Sequence, residues 1–256
     1  MSAALSQKVS VMQMEEIRKL EDSQAAAFDT EYVEGNRWDV VKRLIEKDFP
    51  DGRFRFLDVG GGTGRFADRL LSSFPHASGA VLDNSEMLLS KNASHDRKQL
   101  ICDSVEKLST FSDKFDLVCV HWLLHHVVSS TYTKTTGNQL MTLQALRTLL
   151  GTGGRISMYE NLFEGWVFKS LPGRIIYELT AARSISKMVR GMGANTAGVG
   201  VCFRSMSEWQ QVIANAGLAV DSYVEPDNWV WPRRPAWKYL LHLRRICVGH
   251  FWLRAV

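Results

Sequence analysis

Hydrophobic positions in the central part of the chain switch repeatedly between strand-like and helical spacing. Phe54 to Val59 is a short apolar run containing one acid, whereas Phe66, Ala67, Leu70 and Leu71 recur on one helical face. The same alternation continues downstream. It predicts strands over 54–59, 78–82, 98–102, 115–120 and 153–159, with helices over 64–73, 85–92, 104–108 and 137–150. Strands that alternate with helices imply a parallel sheet covered on both faces. Phe115 to Val120 is apolar except for Asp116, as expected of a central strand. Upstream, Val11, Met14, Ile17 and Leu20 suggest a helix reaching about Gln24, and Val41, Leu44 and Ile45 suggest a second. From Leu162 to about Arg204 the alternation stops. Trp166, Phe168, Leu171, Ile175, Ile176, Tyr177 and Leu179 predict one or two amphipathic helices, and Gly191 to Gly200 reads as a mobile loop. Ser205 and Glu208 form a capping-box pattern ahead of another helix, and Leu218 to Val224 reads as a late strand.

The first strand runs into Gly60, Gly62 and Gly64, whose backbone amides can approach a ligand without a Cβ in the way. Such a strand–glycine–helix unit is the nucleotide-binding corner of an open α/β sheet. Gly62-Thr-Gly64-Arg-Phe-Ala67 also fits a loose dinucleotide pattern, so a nicotinamide oxidoreductase is one reading. Three acids point elsewhere. Asp58 precedes the first glycine by two residues and suits a cationic amino group. Asp83 ends the second strand and can accept from both hydroxyls of a ribose. Asp103 ends the third and can accept from an adenine amine.

Taken in order, Leu57-Asp-Val-Gly-Gly-Gly-Thr-Gly64, Leu82-Asp83, Cys102-Asp103-Ser104, Phe115-Asp-Leu-Val-Cys-Val120, Leu124-His125-His126, Ala145 to Ile156 and Met206 to Leu218 resemble the class I methyltransferases that depend on S-adenosylmethionine. The resemblance implies a Rossmann-like α/β fold with a seven-stranded, mostly parallel sheet and helices on both faces. It also implies an N-terminal helical segment and a lid inserted after the fifth strand. The expected division is a helical cap over 1–50, a cofactor-binding core over 51–161, an acceptor lid over 162–204, and a closing helix, strands and tail over 205–256. By resemblance, the amides of Gly60, Gly62 and Gly64 line the methionine and ribose, with Asp58 near the methionine amine. Asp83 holds the ribose hydroxyls, Asn84 and Met87 flank the adenine, Asp103 and Ser104 receive its amine, and His121 lies near the methionine tail. Tyr32 or Arg37, on the N-terminal segment, reaches the cofactor carboxylate or serves only the surface.

Methyl transfer from a sulfonium needs an aligned acceptor and the exclusion of water more than a strong nucleophile. A general base helps where the acceptor is a hydroxyl or an acidic carbon. His125, His126 and Glu160 are the candidates, each with a competing structural role. The three histidines His121, His125 and His126 lack a carboxylate at metal-site spacing, so no metal is expected.

Composition narrows the class. The 256 residues are 45% hydrophobic and 23% charged, with a net charge of +4, as in a globular domain with no strongly basic strip for nucleic acid. Cys102, Cys119, Cys202 and Cys247 are widely spaced and give neither a zinc pattern nor a disulfide framework. Cys102 and Cys119 are expected inside the core. With no signal-like segment and no membrane span, the expected setting is cytoplasmic. The aromatic segment after the fifth strand favours a small, apolar acceptor, of the kind found in secondary metabolism; it also reads as a homodimer contact or as plain packing. Rival readings are a nucleic-acid or protein methyltransferase and a non-catalytic cofactor-binding module. Trp229 to Trp237, with Arg244, Arg245 and Arg254 beyond, is an aromatic and basic tail that packs on the sheet, meets a second subunit or touches a membrane surface.

Overall fold

The computed structural model describes residues 14–19, 33–227 and 236–256. Tyr32 and the segment 228–235 of the aromatic tail lie outside the described residues. Among them the chain forms α1 (Asn36–Asp48), β1 (Arg55–Val59), α2 (Arg65–Ser73), β2 (Ser78–Asp83), α3 (Glu86–Leu89) and β3 (Lys98–Cys102). Then come β4 (Phe115–His121), α4 (Tyr132–Thr148), β5 (Leu150–Gly165), α5 (Leu171–Ala181) and α6 (Ser186–Gly191). The chain ends with α7 (Met206–Asn215), β6 (Leu218–Asp227), α8 (Ala236–Leu240) and β7 (Leu243–Ala255). Single 3₁₀ turns occupy Val105–Thr110, Leu124–His126 and Arg183–Ile185.

The strands form one seven-stranded sheet in the order β3-β2-β1-β4-β5-β7-β6. β1 to β5 run parallel, and β7 is antiparallel to both its neighbours. Because side chains alternate across a strand, β1 feeds both faces. Leu57 and Val59 join a core with Leu143 and Leu146 of α4 and Trp209, Val212 and Ile213 of α7. Phe56 joins the opposite core, with Val41 and Ile45 of α1 and Ala67, Leu70 and Leu71 of α2. The strand order reverses between β1 and β4, and the crevice beyond their carboxyl ends is where an open sheet of this kind binds ligands.

Several sequence expectations need correction. Residues 14–19 carry no helix. The helix predicted over 85–92 ends at Leu89, and the one predicted over 137–150 begins at Tyr132, where Thr131 caps it by accepting from the Lys134 amide. β5 runs on to Gly165 because β7 pairs with it throughout, which no local pattern could reveal. Cys102 is exposed, whereas Cys119 is buried. The glycine-rich loop is irregular, yet it packs inward: Thr196, Ala197 and Val201 are buried, and Val201 N–H donates to Thr180 Oγ1.

The capping box forms as expected. Ser205 N–H donates to Glu208 Oε2 at 2.9 Å, while Ser205 Oγ accepts from the Glu208 amide. Ser205→Ala is expected to destabilise the protein by about 1–2 kcal/mol in urea titration, the usual cost of a lost N-cap. An unchanged midpoint would mean that the cap contributes nothing here.

Candidate active site

A cavity of about 280 Å³ opens at the carboxyl ends of β1 to β4. Its lining includes Gly60, Asp83, Asn84, Asp103, Ser104, His121 and His126 among the residues expected from sequence. The glycine turn is tied directly to the end of β2. Gly60 N–H donates to the Leu82 carbonyl at 2.7 Å, and Gly62 N–H donates to Asp83 Oδ2 at 3.0 Å. The Ser85 amide donates to the other Asp83 oxygen at 2.8 Å. Burial raises the Asp83 pKa, opposed by the backbone amides of Ser85, Gly62 and Asn84. Asp103 accepts from its neighbouring amide, Ser104, at 2.8 Å and pairs with Lys107 at 3.2 Å. Those contacts, the Ser104 amide foremost, hold its pKa below the ordinary carboxylate value. Ser104 Oγ donates to Glu106 at 2.9 Å.

Glycine is required at two points in the turn. Gly64 has φ +74° at the start of α2, and a Cβ there would lie 1.7 Å from Asn92 Oδ1. Gly60 has φ +73°, and its Cβ would meet Leu123 Cδ1 at 2.9 Å. Behind the turn lies Asp58, 2% exposed, with Oδ2 lacking a hydrogen-bond partner among the described residues. Burial, with Asp83 nearby, pushes its pKa up to about 7 against the opposing pull of Lys98.

Three expected residues serve the framework and are not part of the cavity lining. Glu160 is fully buried and accepts from the Leu124 amide at 2.9 Å, and it bonds His125 Nδ1 at 2.7 Å. This pair fixes the turn after β4. His126, the next residue, is half-buried and lines the cavity instead. Burial and the adjacent His125 depress the His126 pKa well below 6.5, so its imidazole is neutral at pH 7. Arg37 pairs with Asp227 and lies over the Trp122 ring, 5.0 Å from its centroid. Met87 is also outside the lining, where Leu88 takes the apolar position.

His121 bonds Ser157 Oγ at 3.0 Å, and Ser157 Oγ in turn bonds His250 Nε2 at 2.9 Å. Burial lowers both imidazoles, His250 to about 3.

Ile17, Arg18, Lys19 and Trp122 also line the cavity, and none of them was singled out for it from sequence. Trp122 has φ +53°, an uncommon conformation for a bulky residue. It is held by stacking on Tyr159 at 5.2 Å and by Nε1 donating to Asn161 at 3.1 Å. Residues 15–18 form a strap. Asn138 bonds both the amide and the carbonyl of Glu15, at 2.9 and 2.8 Å, and Arg18 N–H donates to Val128 O at 2.8 Å. Arg18 Nη1 donates to the carbonyls of Ala181, at the end of α5, and Val199, in the glycine-rich loop, at 3.2 and 3.1 Å.

A family described as a methyltransferase domain matches residues 56–148, which include the glycine turn, both cavity acids and the turn after β4. Over these residues the chain is similar to methyltransferases that depend on S-adenosylmethionine. A malonyl-[acyl-carrier protein] O-methyltransferase from Paenibacillus sp. (strain JDR-2) is 26% identical over a 177-residue alignment that covers 64% of this chain and 55% of that protein. The match therefore spans little more than half of the relative's length. Among solved structures, an S-adenosylmethionine-dependent methyltransferase from Leishmania major superposes with TM-score 0.57 at 15% identity, covering 90% of this chain and 76% of that one. Mitomycin 7-O-methyltransferase gives TM-score 0.52 at 19% identity, covering 92% and 59%. A pericyclic reaction enzyme gives TM-score 0.52 at 14% identity, covering 83% and 47%. These likenesses establish the fold.

The residues present fit S-adenosylmethionine. Buried Asp58 with an unpartnered oxygen, a glycine turn that leaves room beside the strand ends, and acids at successive strand ends suit a cationic nucleoside.

Asp58 has a measurable consequence. Its folded pKa of about 7 exceeds the ordinary 3.8, so the folded state holds a proton that the unfolded state releases. Its contribution is therefore fully present below pH 4 and is lost as pH rises to 7. In the cofactor-free protein, Asp58→Asn should gain stability relative to wild type over that window, by up to about 4 kcal/mol. Chemical denaturation at pH 5 and pH 8 reads this. A pH-independent difference between the two proteins would contradict it.

Proposed function

We propose that this chain transfers a methyl group from S-adenosylmethionine to a small, largely apolar acceptor at oxygen or an acidic carbon. The observation that carries this reading is the division of the cavity wall, with Asp83 and Asp103 at one side and the neutral imidazole of His126 at the other. When bound, the cofactor supplies a methyl group already activated by a sulfonium. Asp83 accepts from the ribose hydroxyls, since each carboxylate oxygen keeps a lone pair beyond its backbone bond. Asp103 and Ser104 face the adenine amine, Asn84 and Leu88 flank the ring, and the Gly60 to Gly64 turn with His121 lines the methionine end. Asp58 offers its charge from behind the turn. Arg37 serves this site only by leaving Asp227.

His126 takes the acceptor proton. His125 and Glu160 act through it as positioning residues, because their buried bond sets the turn that aims His126 into the cavity. The strap over 15–18 and the lid of α5 and α6 exclude water. Tyr177 and Cys202 pack with Val128 beside the strap's anchor, which gives the lid side an apolar character. The relatives named as O-methyltransferases, one acting on a malonyl-acyl carrier and one on mitomycin, support oxygen as the acceptor atom.

Turnover of labelled S-adenosylmethionine with a small-molecule extract, compared with tRNA and with protein, tests the acceptor class; labelling only of a macromolecule would refute it. Asp83→Ala is expected to weaken cofactor binding by about 2 kcal/mol or more in calorimetry, because a charged hydrogen-bond acceptor is lost. An unchanged dissociation constant would remove Asp83 from the site. His126→Asn should lower kcat by about 100-fold or more while leaving cofactor affinity intact. With S-adenosylmethionine saturating, the wild-type kcat should stay flat from pH 8 down to pH 6, since His126 protonates only well below 6.5. Full activity in the variant would exclude His126 as the base.

A further inference from the structure

The end of β5 and the approach to β7 build a second surface that methyl transfer does not use. β5 leaves the sheet at Gly165, opposite Leu243, and turns through Trp166, Val167 and Phe168, which are 53%, 73% and 65% exposed. Three consecutive apolar residues in water are costly unless something covers them. They are also held in place: His242 Nε2 accepts from the amides of Val167 and Phe168 at 3.0 and 3.3 Å, and its carbonyl accepts from Trp166. On the other side of His242, Tyr239 and Leu240 of α8 are equally exposed, at 76% and 66%.

Beside this tip is a cavity of about 380 Å³ whose charged lining is Lys169, Arg244 and Arg245 against Glu164 and Glu225. The acids lie deeper. The Glu164 side chain is 16% exposed against 49% for its partner Lys169, and Glu225 is 28% exposed against 47% for Arg245. Lys169 and Arg245 are each paired with one of these acids, and exposed Arg244 leaves the lining one positive charge in excess, with the cations outermost. Aromatic side chains projecting beside a shallow basic pocket are suited to the interface of an anionic bilayer, where rings enter the headgroup layer and cations meet phosphate.

We propose that this surface docks on anionic phospholipid membranes, with Trp166, Val167 and Phe168 entering the interface and the Lys169–Arg244–Arg245 pocket receiving a lipid phosphate. No helix among the described residues is long and apolar enough to cross a membrane, so the attachment is peripheral. The surface lies toward the carboxyl edge of the parallel strands, as does the methyltransferase cavity, so a docked molecule can collect a lipophilic acceptor from the bilayer. The proposal does not depend on which acceptor that is.

Sedimentation of the full chain with vesicles tests it. Wild type should pellet with phosphatidylcholine vesicles containing phosphatidylglycerol, more weakly with phosphatidylcholine alone, and less as salt rises. The double variant Trp166→Ala, Phe168→Ala should reduce partitioning by about tenfold or more. Arg244→Glu should abolish the preference for anionic vesicles. Both variants should keep wild-type melting temperature and S-adenosylmethionine affinity. Three results would overturn the proposal: no binding to the mixed vesicles, binding that survives both changes, or a wild-type dimer in solution that Trp166→Ala, Phe168→Ala converts to monomer.

Discussion

The bonds from the Gly60 amide to the Leu82 carbonyl and from the Gly62 amide to the Asp83 carboxylate join the ends of two adjacent strands through one turn. Without them the turn would be free to fill the crevice between β1 and β4. With them, it stays folded back against β2, and Gly60 borders the cavity. The geometry tolerates no side chain at Gly64, where Asn92 already occupies the space, and Asn92 Nδ2 returns a bond to the Gly62 carbonyl at 2.9 Å. Strand end, turn and the segment after α3 are thus one unit, and the acids depend on it for their placement.

Two of the charged groups near this unit illustrate opposite uses of burial. Asp58 is sealed beneath Gly61 with an unpartnered oxygen, and its charge is disfavoured until something cationic approaches. Glu160 is sealed just as deeply, yet an amide and a histidine satisfy it, so its burial fixes a turn. A buried carboxylate left unsatisfied behind the turn responds to charge beyond it, whereas a satisfied one is a fastening. The same contrast separates His125 from His126, neighbours in sequence with different surroundings.

The fold by itself leaves the chemistry open, since a pericyclic reaction enzyme and methyltransferases share it. Around the cavity lie the strap over 15–18, the turn after β4 and, bonded to the strap, the inward-packed glycine loop. Arg18 bonds carbonyls of α5 and of the glycine loop, which ties the strap to both.

The parallel sheet, the helix after β1, the capping box at Ser205 and the strand-end positions of Asp83 and Asp103 were legible in the sequence because each is set by neighbours within a few residues. Hydrophobic period, glycine conformation and capping are local physics. The pairing of Glu160 with His125, the diversion of Arg37 to Asp227 and the lining roles of Ile17, Arg18 and Trp122 were not legible. Each joins residues that are 35 or more positions apart or, for Trp122, depends on a backbone angle held by a distant ring. Sequence alone determined which residues could do chemistry at the crevice; tertiary structure decided which of them face it. Burial and long-range hydrogen bonding are properties of the assembled sheet, and only there can one histidine become a fastening while the next opens onto the cavity.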